Sequence, residues 1–323
     1  MTAEERQSVT KPLPVAAIIG PTAVGKTALS LELARRLNAE IISVDSRQVY
    51  RYMDIGTDKI SHAARREVLH HSIDVVDPDE VFTVASFANL ALEAVERIRA
   101  RGRRVLFVGG TPFYYHALFH ASMNVSLPRD AEARRRYEEM AKQEGAESLH
   151  RKLAEVDAES AHRLHPNDVR RVSRALEIWE ASGIPPSRLY KEGAKADSGL
   201  NVLYIGLTRP RIELSVRIAN RASRQFASGY PEEVAWLIEN GFDERFPSMQ
   251  GFGYKELSLW YRGEKTLEEA LERDISRTRA FCRRQMTWFL KFKPALWYDS
   301  SVLSMSFLRR KIYDTASRHL DGV

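Results

Sequence analysis

The sequence predicts an α/β protein in which a parallel sheet is flanked by helices and carries an all-helical insertion domain and a helical C-terminal part. Two observations lead to this prediction. Over the first third of the 323 residues, short apolar runs rich in β-branched residues alternate with helical patterns, which is typical of a parallel α/β core. From Arg129 to Ser182, charged helical periods replace the strand-like runs, which indicates a helical insertion.

The elements of the core follow in chain order. Helical patterns cover residues 26–37 and 84–101, and Gly102 ends the second as expected at a helix C-terminus. Strands that alternate with helices pair in parallel, so their carboxyl ends should share one crevice. The predicted strands are residues 15–19, 40–44, 73–76, 104–108 and, after the insertion, 202–207.

The domain boundaries follow from changes in the sequence pattern. Residues 183–186, Gly-Ile-Pro-Pro, break the last helix of the insertion, and residues 192–199, EGAKADSG, predict a loop. From Pro210 onwards the pattern is largely helical. We therefore predict a core over residues 12–120 and 200–300, an insertion domain over 121–199 and a C-terminal helical tail over 301–323.

The composition excludes several classes of protein. An apolar content of 44% supports a core, and one cysteine, Cys282, rules out an internal disulfide framework or a cysteine-based zinc site. The first residues are polar and lack a signal peptide's apolar segment, and no run approaches the length of a membrane span. We expect a cytoplasmic protein without membrane contact, which acts as a monomer.

A phosphate-binding motif follows the first predicted strand. Residues 20–27, GPTAVGKT, fit G-x-x-x-x-G-K-[ST] at every fixed position and lie between a strand and a helix, as this motif requires. We call these residues the phosphate loop, and they predict a P-loop core. Backbone amides and the helix N-terminus would hold a di- or triphosphate, Lys26 adds a charge, and the Thr27 hydroxyl can bind Mg²⁺. The predicted phosphate-binding residues are Gly20, Pro21, Thr22, Ala23, Val24, Gly25, Lys26 and Thr27.

The neighbouring strand ends predict chemistry other than nucleotide hydrolysis. A nucleotidase usually has a strand that ends in a metal-binding Asp, whereas the strand at 104–108 is followed by Gly-Gly-Thr111. Asp45 follows the second strand, so Asp45, Thr111 and the phosphate loop should converge. Asp45 would then act as a general base, or it is only a turn aspartate. Arg217, after the returning strand, would neutralise a leaving group or is a surface arginine.

A basic helix is predicted near the C-terminus. Residues 273–293 contain seven basic residues and one acid, a surplus equal to the net charge of +6 of the whole chain. At helical spacing, Arg273, Arg277, Arg284 and Lys291 form one stripe beside Phe281, Trp288 and Phe292, while Ile275, Cys282, Met286 and Phe289 face the core. Such a stripe can bind RNA phosphates and stack on unpaired bases, or it is an ordinary solvated face.

A second basic helix begins within the insertion. Arg170, Arg171 and Arg174 follow Pro166-Asn167-Asp168, a sequence typical of a helix start. Salt bridges within this helix are the alternative to contacts with RNA. The insertion as a whole is close to charge balance, so its composition gives no electrostatic argument for a nucleic-acid partner.

Six blocks follow one another from about residue 15 to about 288. They are GPTAVGKT, VDSRQVYRYMDIGTDK, GGTPFYYHAL, LHPNDVRRVSRALE, MQGFGYKEL and TRAFCRRQMTWF. In this order and spacing they resemble the bacterial tRNA dimethylallyltransferases. The resemblance implies transfer of a dimethylallyl group from its diphosphate to N6 of the adenosine beside the 3′ end of the anticodon, with Mg²⁺. The phosphates would then leave as diphosphate.

The resemblance also implies roles for individual residues. Asp45 would hold the adenine amino group and act as base, Thr111 would lie at the bridging oxygen or the attacking amine, and Lys26 and Arg217 would hold the diphosphate. The insertion would grip the anticodon stem-loop. The implied tRNA contacts are Asp45, Ser46, Arg47, Gln48, Thr111, Asn167, Asp168, Arg170, Arg171, Arg174, Gly251, Gly253, Tyr254, Lys255, Arg283, Arg284, Gln285 and Trp288.

Three dipeptides depart from the family pattern, and three other functions remain. Pro112-Phe113 replaces Gly-Leu, Ala222-Ser223 replaces Val-Asp, and Gly229-Tyr230 replaces Gly-Leu. An adenylate isopentenyltransferase would prenylate a free nucleotide, but it needs neither the insertion nor the basic helix. A P-loop kinase of a small metabolite would turn over ATP without RNA. A non-catalytic RNA-binding module would leave Lys26 and Asp45 without a role.

Overall fold

The described residues of the computed structural model are 12–119, 127–193, 198–303 and 306–322. The polar N-terminal residues up to 11 lie outside them, and so does the start of the predicted insertion at 121. Residues 194–197 of the loop predicted at 192–199 are likewise outside the described part.

The described residues contain one six-stranded sheet in which every neighbouring pair of strands is parallel, in the order β3-β2-β4-β1-β5-β6. The central strand β1 is buried because its apolar side chains are covered on both faces, as in doubly wound α/β proteins. The predicted parallel α/β class is therefore confirmed. The strands are β1 (Leu13–Ile19), β2 (Ala39–Ser43), β3 (His70–His71), β4 (Arg104–Val108), β5 (Leu200–Thr208) and β6 (Ala295–Asp299).

Helices make up most of the rest of the described chain. In α1, leucines four residues apart (Leu29, Leu33 and Leu37) place one apolar face against the sheet. The helices are α1 (Lys26–Leu37), α2 (His62–Glu67), α3 (Val84–Ala100), α4 (Pro112–Phe119), α5 (Ala131–Glu144), α6 (Ala146–Val156), α7 (Ala158–Arg163), α8 (Val169–Ser182), α9 (Pro186–Gly193), α10 (Arg211–Ala227), α11 (Tyr230–Glu239), α12 (Tyr254–Tyr261), α13 (Leu267–Phe289) and α14 (Ser306–Leu320).

Two edge strands differ from the sequence prediction. The strand predicted at 73–76 is wrong, because Val75 and Val76 donate backbone hydrogen bonds to Val49 of the neighbouring turn instead of extending the sheet. The actual edge strand β3 is two residues long and contains two histidines. The strand β6, which lies in a region predicted to be helical, pairs with β5, and Trp297 packs against Gly206.

The chain forms two compact units. One contains residues 1–115 and 199–323, with the sheet, and the other contains residues 116–198. In the second unit the helices α5, α6, α7 and α8 bury a small apolar core that includes Tyr137, Leu149, Leu153, Val172 and Leu176. The wholly helical texture predicted for this region is what its described residues show.

The helix α14, predicted as a C-terminal tail, packs into the core of the first unit. Its apolar residues Ile312, Ala316 and Leu320 join the cluster formed by β1 and α1. His319 contacts the carbonyl oxygens of Val15 and Asn201, which links α14 to β1 and β5. Among the described residues, no helix is long and apolar enough to cross a membrane.

Candidate active site

A cavity of about 1440 Å³ lies at the carboxyl ends of the strands in the first unit. This position is the usual ligand crevice of parallel α/β sheets. The volume exceeds the 300–1,000 Å³ typical of pockets for one small ligand. The lining includes six basic and three acidic side chains, an excess that favours an anionic ligand: Lys26, Arg47, Lys59, Arg217, Arg221, Arg224, Asp45, Asp58 and Asp274.

The phosphate loop forms one wall of the cavity and leads from β1 into α1. Gly25 has φ of 110°, a conformation that glycine tolerates far better than other residues, and α1 begins at the next position. The Lys26 ammonium donates hydrogen bonds to the carbonyl oxygens of Gly20 and Pro21, at 2.9 and 2.8 Å. Burial lowers the pKa of Lys26 from 10.5 to about 8, against the opposing attraction of Asp45. The ammonium is therefore poorly solvated and would gain from a bound anion.

Arg217 lies against the phosphate loop, which is one of the two alternatives that the sequence left open for this residue. It belongs to α10, and its Nε donates to the carbonyl oxygen of Ala23 at 2.8 Å. Because this hydrogen bond uses Nε, the outer guanidinium nitrogens of the exposed Arg217 side chain can point elsewhere. α10 thus adds a second cation to the lining of the cavity that contains Lys26.

Asp45 stands in a turn directly after β2. Its Oδ1 accepts hydrogen bonds from the backbone N–H groups of Arg47 and Gln48, at 2.8 and 3.4 Å. Oδ2 has no hydrogen bond within the described part of the chain, so it can bind a proton donor in the cavity. Thr111 supports this turn, because its Oγ1 accepts from the backbone N–H of Ser46 at 3.1 Å. The convergence predicted for Asp45 and Thr111 is therefore present in the structure.

The rest of this turn is held by groups distant in sequence. Arg47 donates to the carbonyl oxygens of Pro247 and Ser248. Gln48 accepts from the Ser43 hydroxyl and donates to the carbonyl oxygens of residues 57 and 58. Both side chains form hydrogen bonds with other groups of the protein. Their predicted contact with tRNA would therefore have to involve other atoms or a rearrangement.

Glu233 orders the segment that carries residues 57 and 58. Its carboxylate accepts three backbone N–H groups, from Asp54, Ile55 and Gly56, at 2.7–3.1 Å. It also accepts the hydroxyl of buried Tyr254 at 2.7 Å. Tyr254, predicted to contact tRNA, therefore uses its hydroxyl inside the protein.

The helix α13 lines the cavity with a polar face that the hydrophobic pattern did not predict. Its buried residues are Ala270, Asp274, Thr278, Cys282, Gln285 and Phe289, whereas Ile275 and Met286, predicted to face the core, are only half-buried. Burial, with Glu256 nearby, raises the pKa of Asp274 to about 6. Burial of a polar side chain without a partner is costly, so polar residues on the inner face of α13 are consistent with a polar cavity beside it.

Arg221 is a further basic residue of the cavity that the sequence prediction did not include. Its Nη1 lies 3.3 Å from Asp58, while its buried Nε has no hydrogen-bond partner among the described residues. A buried, unpaired donor is rare in proteins. Its position in the lining next to Arg217 and Arg224 is consistent with an anionic ligand.

The outer face of α13 carries three of its four predicted RNA contacts, whereas the fourth, Gln285, is only 3% exposed and uses its amide inside the protein. Arg283 and Arg284 are exposed, and Trp288 is 38% exposed with the Lys291 ammonium 5.5 Å from its ring. Two features of the predicted stripe differ. Arg277 forms an ion pair with buried Glu256 at 2.8 Å, and the side chain of Phe292 is buried in the core.

Some of the predicted tRNA contacts in the helical unit bind other protein groups, and others are exposed. Asp168 caps α8, and Arg171 lies 3.2 Å from it, which is the salt bridge within the helix that the sequence left as an alternative. Arg174 binds Glu177 and the carbonyl oxygen of Pro128. Asn167 and Arg170 are exposed.

The remaining predicted contacts lie in and beside the loop before α12. Gly251 and Tyr254 line the cavity, whereas Gly253 precedes α12 and donates its N–H to Glu256 at 2.9 Å. Lys255, the second residue of α12, is half-buried.

The three departures from the family pattern have structural explanations. Pro112 begins α4, where a fixed φ and a missing N–H cost little. Ala222 is buried in α10. Tyr230 follows Gly229 at the start of α11, and its hydroxyl donates to the carbonyl oxygen of Phe252. None of the three disturbs the contacts of Lys26, Asp45 or Arg217.

Magnesium fits the donors that this cavity offers. Thr27 stands in the first turn of α1 and lines the cavity, as does the carboxylate of Asp45. Hydroxyl and carboxylate oxygens together with substrate phosphates are the usual ligands of Mg²⁺. Thr27 would bind the ion and the diphosphate would complete its coordination.

Sequence comparison identifies relatives along most of the chain. The sequence model of the family described as IPP transferase matches residues 48–292. The tRNA dimethylallyltransferase of Dictyoglomus turgidum is 45% identical over 304 residues, which cover 94% of this chain and 92% of the relative. The tRNA dimethylallyltransferase of Roseiflexus castenholzii is 46% identical over 280 residues, which cover 86% and 90%.

Solved structures agree with the sequence relatives. The full-length tRNA isopentenylpyrophosphate transferase from Bacillus halodurans matches with a TM-score of 0.70 and 37% identity over 96% of this chain and 97% of its own. A eukaryotic dimethylallyltransferase acting on tRNA matches with a TM-score of 0.79 and 28% identity over 96% of this chain and 80% of its own. The resemblance drawn from six sequence blocks is thereby confirmed, and the chain belongs to the IPP transferase family.

Proposed function

We propose that this protein is a transferase that moves a dimethylallyl group from dimethylallyl diphosphate to tRNA and releases diphosphate. The acceptor is N6 of the adenosine beside the 3′ end of the anticodon. One observation carries the proposal: the phosphate loop, Arg217 and the Asp45 turn all face one cavity. An anionic leaving group and a proton acceptor can therefore serve the same reaction.

The cationic wall suits the departure of diphosphate from an allylic carbon. As the bond between this carbon and the bridging oxygen breaks, the electron pair moves onto the diphosphate. Lys26, Arg217 and the amides of the phosphate loop would stabilise the developing charge. Magnesium bound at Thr27 would add Lewis-acid stabilisation of the same oxygens.

The turn after β2 would supply the base. The adenine amino nitrogen forms a bond to the allylic carbon and must lose one proton. Asp45 would accept this proton on Oδ2, while Oδ1 stays bound to the backbone of Arg47 and Gln48. Thr111 would keep the turn in place through Ser46.

The size and surroundings of the cavity favour an RNA acceptor over a free nucleotide. About 1440 Å³ leaves room for an extruded nucleoside beside the diphosphate. A loop of RNA already presents unpaired bases, which lowers the cost of extrusion. The exposed Arg283, Arg284 and Trp288 on α13 would bind the surrounding RNA by charge and stacking.

The protein would act as a monomer, because one chain supplies every group proposed to take part in the reaction. A tRNA substrate would place the activity in the cytoplasm. Size-exclusion chromatography with light scattering tests the first statement: a mass near 36.9 kDa supports it and twice that mass contradicts it.

One experiment separates the proposal from its alternatives. The purified protein is incubated with Mg²⁺, unmodified tRNA and radiolabelled dimethylallyl diphosphate, and ATP hydrolysis is followed in parallel. We expect label in the tRNA and no use of ATP. A second reaction contains AMP in addition to tRNA. Label in AMP but not in tRNA would identify an adenylate isopentenyltransferase, and ATP turnover without label in RNA would identify a kinase.

A further inference from the structure

Gln285 connects the two halves of the candidate active site. Its side chain is 3% exposed and extends from α13 into the space between the phosphate loop and the end of β4. Oε1 accepts the backbone N–H of Thr22 at 2.9 Å, and Nε2 donates to the carbonyl oxygen of Gly110. One amide thus binds a donor on one segment and an acceptor on the other.

These two contacts complete a continuous path across the site. Gly110 is followed by Thr111, whose Oγ1 accepts the backbone N–H of Ser46 beside Asp45. The path therefore runs from the phosphate loop through Gln285 and the two residues Gly110 and Thr111 after β4 to the turn of Asp45. Its length sets the separation between the group that holds the diphosphate and the group that accepts the proton.

The close approach at Gly110 shows that this arrangement leaves no spare room. A Cβ built on Gly110 would lie 2.6 Å from Nε2 of Gln285 and 3.7 Å from the Lys26 ammonium. Any larger residue at 110 would push the amide of Gln285 out of position. Glycine is suited to position 110 because the side chain of Gln285, from α13, lies close to the backbone there.

We propose that Gln285 is a positioning residue, which fixes the phosphate loop relative to Asp45 so that the allylic carbon and the proton acceptor are aligned. This inference rests on the proposed prenyl transfer. It adds a residue that aligns the reacting groups through its side-chain amide. Misplacement of reacting groups by about 1 Å can reduce a rate about 10²-fold without removing any reacting group.

The test uses Gln285→Met, which keeps the length of the side chain but leaves both backbone partners without a hydrogen bond. We expect kcat for transfer to tRNA to fall about 10- to 100-fold with both substrates saturating, as expected for misaligned groups. The Kd for inorganic diphosphate and the Kd for tRNA should change less than about threefold, because Lys26 and the exposed arginines remain. Thr287→Ala, an exposed change on the same helix, is the matched control and should keep the wild-type kcat.

Two further variants separate alignment from general stability. Gln285→Glu can still accept the Thr22 N–H but repels the Gly110 carbonyl oxygen, so its kcat should lie between those of wild type and Gln285→Met. Gly110→Ala should reproduce the loss in Gln285→Met, and the double variant should lose no more than either single one.

The inference and the proposed function fail in different ways. A wild-type protein that transfers no label to tRNA would overturn the proposed function. With active wild type, an unchanged kcat in Gln285→Met would overturn the role of Gln285 alone. A loss of kcat matched by an equal loss of diphosphate affinity and a lowered midpoint of urea unfolding would also overturn it, since this pattern indicates a structural role only.

Discussion

Replacement of Asp45 by Asn isolates proton transfer from the geometry of the turn. In the structure, Oδ1 of Asp45 accepts the backbone N–H groups of Arg47 and Gln48. Asparagine keeps this acceptor with the same shape, so the turn should persist. It loses the second oxygen, which is the proposed proton acceptor, together with the negative charge that attracts Lys26.

The expected magnitude follows from this separation. General base catalysis contributes about 10²- to 10⁴-fold, which corresponds to about 2.7–5.5 kcal/mol in the activation barrier. Asp45→Asn should therefore lower kcat by this factor with tRNA affinity within about threefold of wild type. Asp45→Ala also removes two backbone hydrogen bonds in a half-buried turn, which should cost about 1 kcal/mol of unfolding free energy in addition.

The assay is single-turnover transfer of radiolabelled dimethylallyl to tRNA by rapid quench, with both substrates saturating. The Kd for tRNA is measured by filter binding in the same buffer, and the free energy of unfolding by urea titration. An Asp45→Asn rate within threefold of wild type would remove Asp45 from proton transfer. A tRNA Kd that rises in proportion to the fall in rate would assign the residue to binding instead.

Three further predictions concern charge and support. Because the pKa of Lys26 is about 8 and the diphosphate binds its protonated form, the Kd for dimethylallyl diphosphate should rise up to about tenfold from pH 7 to pH 9 by calorimetry; Lys26→Arg, which stays charged, should show no such rise. Arg284→Ala should weaken tRNA binding and reduce the slope of log K against log salt by about 0.7–1. Arg310→Ala, at another exposed arginine, should do neither. A change in diphosphate affinity instead would contradict the assignment of α13 to RNA binding. Glu233→Gln turns an NH₂ group towards the backbone N–H groups of residues 54–56, so it should lower the free energy of unfolding in urea by about 2–3 kcal/mol. The adjacent Glu232→Gln should leave this free energy within about 0.5 kcal/mol of wild type.

The central strands and α1 could be predicted because their patterns are local. Strand β4 and helix α1 coincide with the predicted residues 104–108 and 26–37. An uninterrupted apolar run indicates a strand covered on both faces, and the glycine-rich motif fixes where the next helix begins. For Arg217 the sequence left a surface position as the alternative, and the structure places it beside the phosphate loop, after the strand that pairs with β1.

The edge strands could not be predicted, because their pairing depends on distant segments. Val75 and Val76 are apolar enough for a strand, but they bind the turn that contains Val49 instead. In β6, the pairing depends on β5, nearly a hundred residues earlier, and Trp297 fits because Gly206 leaves space for its ring. Neither requirement is visible in a window of neighbouring residues.

The inner face of α13 was misassigned for a related reason. Hydrophobic periodicity assumes that buried residues are apolar, and it therefore assigned Ile275 and Met286 to the core. The structure instead buries Asp274, Thr278 and Gln285, since this face borders a polar cavity. The one available signal was the uninterrupted helical spacing of three polar residues at 274, 278 and 285, which share a face with Cys282.

The arrangement of charges suits the proposed role of the phosphate loop in transfer of an allylic group to nitrogen. Lys26 is poorly solvated, and its ammonium already binds carbonyl oxygens of the phosphate loop. Arg217 is oriented by Ala23, and Arg221 keeps a buried, unpaired Nε among the described residues. Cations held in place before the reaction need little reorganisation when a leaving diphosphate gains charge. Asp45 faces the same cavity from a turn held by protein groups, so in the proposed reaction the nucleophile that loses its proton there would be the one that attacks the allylic carbon.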